Sequence, residues 1–228
     1  MNFHNTALLL TFIWFLIVVV RFRRSSVVIL GGLGVVGLYA FAALALGWVR
    51  PSELGLGIPG SWLATLGFAL AGLGVMLAYS PLADWLAARW FKKPPSLAAF
   101  GAIQQSRANL IAGIVAAWLL GGVLEELIAR GIVLTSVETF LVPWVGGQAA
   151  VGAAVCIAAA GAGVVHFYQG PRAVLIIAQL SLLLGVLFVV SGYNLWAVML
   201  CHGLYDTIAF IRFANKQSKY SHLDQISG

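Results

Sequence analysis

Charge is what this sequence has least of. Asp, Glu, Lys and Arg make up 9% of its 228 residues. A soluble domain of this size cannot cover itself with so little charge, which rules out a water-soluble globular fold. Cysteine is nearly absent as well. Cys156 and Cys201 both lie in apolar runs, which argues against a disulfide framework, and no paired-Cys motif suggests a metal site. Basic residues outnumber acidic ones by 13 to 7, for a net charge of +6, yet they form no nucleic-acid-binding block. They fall in short stretches between apolar runs, where they set membrane topology. What is abundant is hydrophobicity, 61% of residues with a mean hydropathy of +0.99. The composition predicts an all-α polytopic transmembrane helix bundle, one integral membrane domain over residues 1–228 with no soluble domain.

The apolar runs predict about seven spans, near 5–20, 26–47, 61–80, 108–134, 149–167, 173–190 and 194–213. The first is a retained helix rather than a signal peptide, because Arg21, Arg23 and Arg24 follow the run and no basic residue precedes it. Gly31, Gly32, Gly34 and Gly37 in the second serve close helix packing; a phosphate loop would need a preceding strand and a following Lys. Residues 48–60 and 135–148, with Pro143, Gly146 and Gly147, read as loops. Within the polar connection 81–107, Leu82, Trp85, Leu86 and Trp90 recur at helical spacing. They mark either an extra interfacial helix over 82–91 or an extension of the third span. Residues 214–228 read as a frayed polar tail. Eleven Lys and Arg fall on the side holding Arg21, Arg89, Arg107 and Arg172, against Arg50 alone on the other. That bias places the N-terminus outside and the C-terminus in the cytoplasm of a prokaryotic cell membrane.

A few ionisable residues remain inside the later spans. They are Glu125, Glu126 and Arg130 in the fourth, His166 closing the fifth, and His202 and Asp206 in the seventh. Ionisable groups in hydrocarbon are expensive, so three helices that carry them bring them together, as structural glue or as a functional site. Six such groups favour a site. Asp84, Glu138, Asp224, His4 and His222 read as loop or terminal residues. Glu126 and Arg130 are i and i+4, so they share a face and can pair. Glu125 is rotated about 100° from Glu126 and stays free. His202 and Asp206 are also i and i+4, so the carboxylate can hold one ring nitrogen.

In order, E-E-x-x-x-R-G (Glu125, Glu126, Arg130, Gly131), a His ending a later helix (His166) and H-x-x-x-D (His202, Asp206) resemble the motifs of the CPBP intramembrane proteases. That family includes the type II CAAX prenyl proteases and bacteriocin-processing proteins. The resemblance covers about 109–213, the motif-bearing core. Three places depart from the family pattern: Leu127, Ile128 and Ala129 supply no aromatic beside the arginine of the first motif, Ala162 stands where Phe is usual, and Asp206 stands where the eukaryotic enzymes have Asn and prokaryotic relatives Asn or Asp. The resemblance implies a glutamic-type endopeptidase in which Glu125 and His166 activate a water and His202 stabilises the oxyanion. Asp206 would support His202, with Glu126 and Arg130 in structural roles. No cofactor is implied; the alternative is Zn²⁺ on Glu125, His166 and His202 with water at an open position. Expected partners are the lipid bilayer and a peptide or protein substrate: a leader peptide, a C-terminal sorting signal or a CaaX-like terminus. The competing class is a non-enzymatic membrane protein, such as a bacteriocin immunity factor or a proton or ion pathway. With straight helices and a loop over 135–148, Glu125 lies deep in its span while His166 lies near the end of its own. Kinking at Gly121 and Gly122, or a dip of the loop into the bilayer, would reconcile them.

Overall fold

Backbone in lipid must satisfy its own hydrogen bonds, and a helix does so within one segment. The computed structural model, which describes residues 3–22 and 25–226, turns each apolar run into helix. They are α1 (Phe3–Arg21), α2 (Ser26–Ala45), α3 (Trp62–Trp90), α4 (Arg107–Ala117), α5 (Thr135–Val145), α6 (Gly147–Val165), α7 (Pro171–Val190) and α8 (Leu195–Ile226). Between α4 and α5 the chain winds as π-helix over Trp118–Glu125 and Leu127–Leu134, making Arg107–Val145 one rod. No strand occurs among the described residues. Among the described residues, six rods are long and apolar enough to cross a membrane, and the apolar part of α1, Leu9–Arg21, is shorter. The chain is an integral membrane protein. Two spanning rods separate Arg21 from Lys92, and two more separate Arg107 from Arg172, the even numbers that the basic residues require. Arg23 and Arg24 lie outside the described residues, as do the side chains of His4, Lys216, Lys219, His222 and Asp224.

Serines start three of the helices. Ser25, Ser61 and Ser106 accept hydrogen bonds from the amides of Val28, Ala64 and Asn109. Each satisfies a donor that the helix itself leaves unpaired.

Several expected loops are helical instead. α3 runs through Pro81 to Trp90, so 82–91 extends the third span and is not a separate interfacial helix. α5 carries Glu138 and Pro143, so 135–145 is helix and only Gly146, at φ 81°, turns the chain. Internal proline is tolerated in membrane helices, where neighbouring groups re-satisfy the freed carbonyl. Pro143 also stands only two residues before the helix end, so little helix remains to be disrupted. Asp84 and Glu138 are therefore helical residues with partners. Arg172 donates to both oxygens of Asp84, at 2.9 and 2.7 Å. The Tyr193 hydroxyl reaches both oxygens of Glu138, at 2.8 and 2.9 Å. Burial, followed by the hydrogen bond and charge of Glu138, pushes the Tyr193 phenol up to about 12. The backbone of α8 stays helical to Ile226 across the stretch expected to fray.

The bundle is arranged around the second π stretch. All eight residues from Leu127 to Leu134 are buried, and Leu127, Ile128, Ile132, Val133 and Leu134 join one apolar cluster with Phe15, Leu33, Val155, Phe188 and Val198. Large apolar side chains elsewhere face outward, among them Trp14, Val27, Leu63, Ile111 and Trp144. That inverts the pattern of a soluble protein and suits a hydrocarbon surround.

Candidate active site

The turn at Gly146 sets the depth of the site. Glu125 stands twenty-one residues before Gly146 and His166 twenty after it. Two helical arms of nearly equal length folding back on each other bring their far ends close to level. The apparent mismatch in depth thus came from reading 135–148 as a loop. Glu125 Oε1 lies 3.8 Å from His166 Nε2. His166 Nδ1 is 2.9 Å from the carbonyl of Ala162. A carbonyl only accepts, so Nδ1 carries the proton, and in the neutral ring Nε2 offers its lone pair towards Glu125.

Glu126 is fully buried and heavily engaged. Arg130 Nη1 sits 3.0 Å from its Oε1 and 2.9 Å from its Oε2, the pair that i,i+4 spacing anticipates. Arg130 Nη2 donates to both the carbonyl and the hydroxyl of Ser181 at 2.6 Å, tying the rod to α7. Glu126 Oε1 also lies 2.6 Å from His202 Nδ1. His202 Nε2 is 3.5 Å from Asp206 Oδ2. The group that holds His202 most closely is therefore Glu126, across a helix interface, and Asp206 flanks the other ring nitrogen. Sequence spacing favours Asp206 because it can relate only residues on one helix.

Gly121 and Gly122 make room for these contacts. A Cβ on Gly121 would lie 2.8 Å from Asp206 Oδ2 and 3.5 Å from His202 Nε2. Gly122 packs on the backbone of Gly203, and Trp118 covers Gly203 while donating from Nε1 to Thr207 at 3.0 Å. Small residues let the π stretch and α8 approach backbone to backbone. The glycines therefore act through close approach. The irregularity of the rod lies in its π winding, a feature frequent at functional sites.

Glu125, His166, His202 and Asp206 all border one cavity of about 610 Å³, with largely apolar walls that include Phe100, Ile103 and Leu184. That volume is in the range of ligand sites. The segment after α3 supplies part of the wall through Ala99, Phe100, Ala102 and Ile103. Ser96 N donates to Gln169 O at 2.8 Å, Gln104 donates to Phe213 O at 3.0 Å, and the Phe100 and Phe210 rings meet at 5.4 Å. Among the described residues, no three His, Cys, Asp or Glu side chains are grouped as a metal ion would need.

The site lies wholly within one stretch that matches a known family. Residues 107–208 match the model of the type II CAAX prenyl endopeptidase Rce1-like family. The match is a likeness of this segment to that family. It takes in Glu125, Glu126, Arg130, His166, His202 and Asp206 and leaves α1, α2 and α3 outside the match. No curated protein and no solved structure matches the chain. Within the matched segment, the spacing of motif residues did not reveal Ser181, Trp118 or Thr207. Ser181 had a signal, since it is a lone hydroxyl in an apolar run; Trp118 and Thr207 meet only through the fold.

Proposed function

We propose that this chain is an intramembrane endopeptidase that hydrolyses a peptide bond of a membrane-associated substrate. The observation that carries the reading is Glu125 Oε1 at 3.8 Å from His166 Nε2, at the wall of a cavity that His202 and Asp206 also border. Glu125 and His166 bracket a space suited to a water. As the water oxygen bonds to the carbonyl carbon, Glu125 accepts a proton; as the C–N bond breaks, that proton passes to the leaving amine. His202 faces the developing oxyanion. Glu126 fixes its ring and tautomer, the role a buried carboxylate plays in a catalytic triad. Asp206 supports the second nitrogen. The apolar walls suit a hydrophobic substrate segment. A proton pathway would string its groups across the bundle, whereas these gather at one cavity.

Candidate substrates are a leader peptide, a C-terminal sorting signal and a prenylated CaaX terminus. With eleven basic residues against one, we place the N-terminus outside and the C-terminus in the cytoplasm of a prokaryotic cell. The test is cleavage of one peptide of each class in proteoliposomes, by wild type and by Glu125→Ala, His166→Ala and His202→Ala. Cleavage of at least one peptide is expected, with loss in all three variants. Cleavage that survives all three would defeat the mechanism. Adding a chelator separates the alternatives: activity lost with chelator and restored by Zn²⁺ would reassign Glu125, His166 and His202 as metal ligands.

A further inference from the structure

His166 shares its wall of the cavity with an aromatic neighbour. Tyr168 lies in the same short 3-10 turn, His166–Gln169, with its ring beside the imidazole, centroids 6.0 Å apart and planes 29° from parallel. It borders the same cavity as Glu125, His202 and Asp206. Its hydroxyl oxygen accepts a hydrogen bond from Gln169 Nε2 at 3.0 Å. A phenol that accepts still has one proton to donate. Among the described residues, no group receives it.

Hydrolysis in this cavity requires such a donor. Addition of water to a peptide carbonyl leaves negative charge on the carbonyl oxygen, which is stabilised by donors already aimed at it. Ionised Glu125 and Asp206 can only accept. His166 commits its Nδ1 proton to Ala162, and His202 commits its own to Glu126. In the neutral form each ring turns a bare nitrogen towards the cavity, and His202 donates there only as the imidazolium, with both ring nitrogens protonated. We propose that the Tyr168 hydroxyl is a catalytic donor to the oxyanion, alongside His202, and that Gln169 aims it. This rests on the hydrolytic reading above. The phenol proton stays on its oxygen throughout, and no bond is made or broken at Tyr168.

The test uses the full chain in proteoliposomes, the peptide that wild type cleaves, and the matching peptide aldehyde, whose hydrate mimics the tetrahedral intermediate. Tyr168→Phe keeps the ring against His166 and removes only the hydroxyl. The expected result is a fall in kcat of about 10²–10³-fold, the usual effect of deleting one oxyanion donor. KM and unfolding temperature stay near wild type, while aldehyde affinity falls in parallel with kcat. A second variant carries 3,5-difluorotyrosine at 168, which keeps the shape and ionises at lower pH. Its alkaline limb of kcat moves to lower pH, because a phenolate cannot donate. Wild-type kcat in Tyr168→Phe, a kcat loss without loss of aldehyde affinity, or an unmoved alkaline limb overturns the proposal alone. A wild type that cleaves no peptide and binds no aldehyde overturns the hydrolytic reading, and this proposal with it.

Discussion

Glu125 and Glu126 are adjacent, chemically identical and unlike in every other respect. The side chain of Glu126 is 0% exposed and touches Arg130 and His202. That of Glu125 is 23% exposed and faces a cavity, with His166 as its near neighbour. One carboxylate is locked in a network spanning three segments; the other is open to a ligand. A rotation of one residue along a helix is enough to separate structure from chemistry. In the proposed mechanism the lock also holds the ring of His202, 2.6 Å from Glu126. Breaking either side on its own shows whether the division is real.

The largest expected effect on stability comes from the locked side. Glu126→Ala or Arg130→Ala leaves its partner charged and buried without its ion-pair partner, at a cost of about 3–5 kcal/mol. Thermal unfolding in detergent, followed by circular dichroism, measures it. Glu126→Leu combined with Arg130→Leu removes both charges, so its cost is expected to fall well below the sum of the single changes. Additive costs would mean that the two residues are not coupled. Next comes Gly121→Ala, which pushes a methyl group to within 2.8 Å of Asp206 Oδ2. Displacing a group at the site by even about 1 Å can cost about 10²-fold in kcat. The fold is expected to persist, so kcat falls while the unfolding temperature holds. The smallest effect belongs to the partly exposed Arg172–Asp84 pair, which ties α3 to the start of α7. Arg172→Ala is expected to cost about 1 kcal/mol or less in stability.

The same contrast shows what the sequence could disclose. Apolar runs revealed the membrane bundle, and i,i+4 spacing revealed the Glu126–Arg130 pair, because both are properties of single helices. The partner of His202 was not legible, since Glu126 reaches it across the interface between the π stretch and α8. Local composition misled at 135–148: Pro143 and two glycines suggest a loop, yet the break falls only at Gly146. That one boundary turned a symmetric hairpin into an apparent mismatch of depth. Asp84 and Glu138 were misread for the same reason, as charges near helix ends whose partners lie 88 and 55 residues away in sequence.

The most direct measurement compares Glu125→Gln with Glu126→Gln, each assayed for kcat on the peptide that wild type cleaves and for unfolding temperature in the same detergent. The account predicts that Glu125→Gln loses about 10²–10⁴-fold in kcat, the range of a general base, and unfolds with wild type. Glu126→Gln unfolds at clearly lower temperature. A Glu125→Gln protein that cleaves at the wild-type rate, or that unfolds as early as Glu126→Gln, would contradict it.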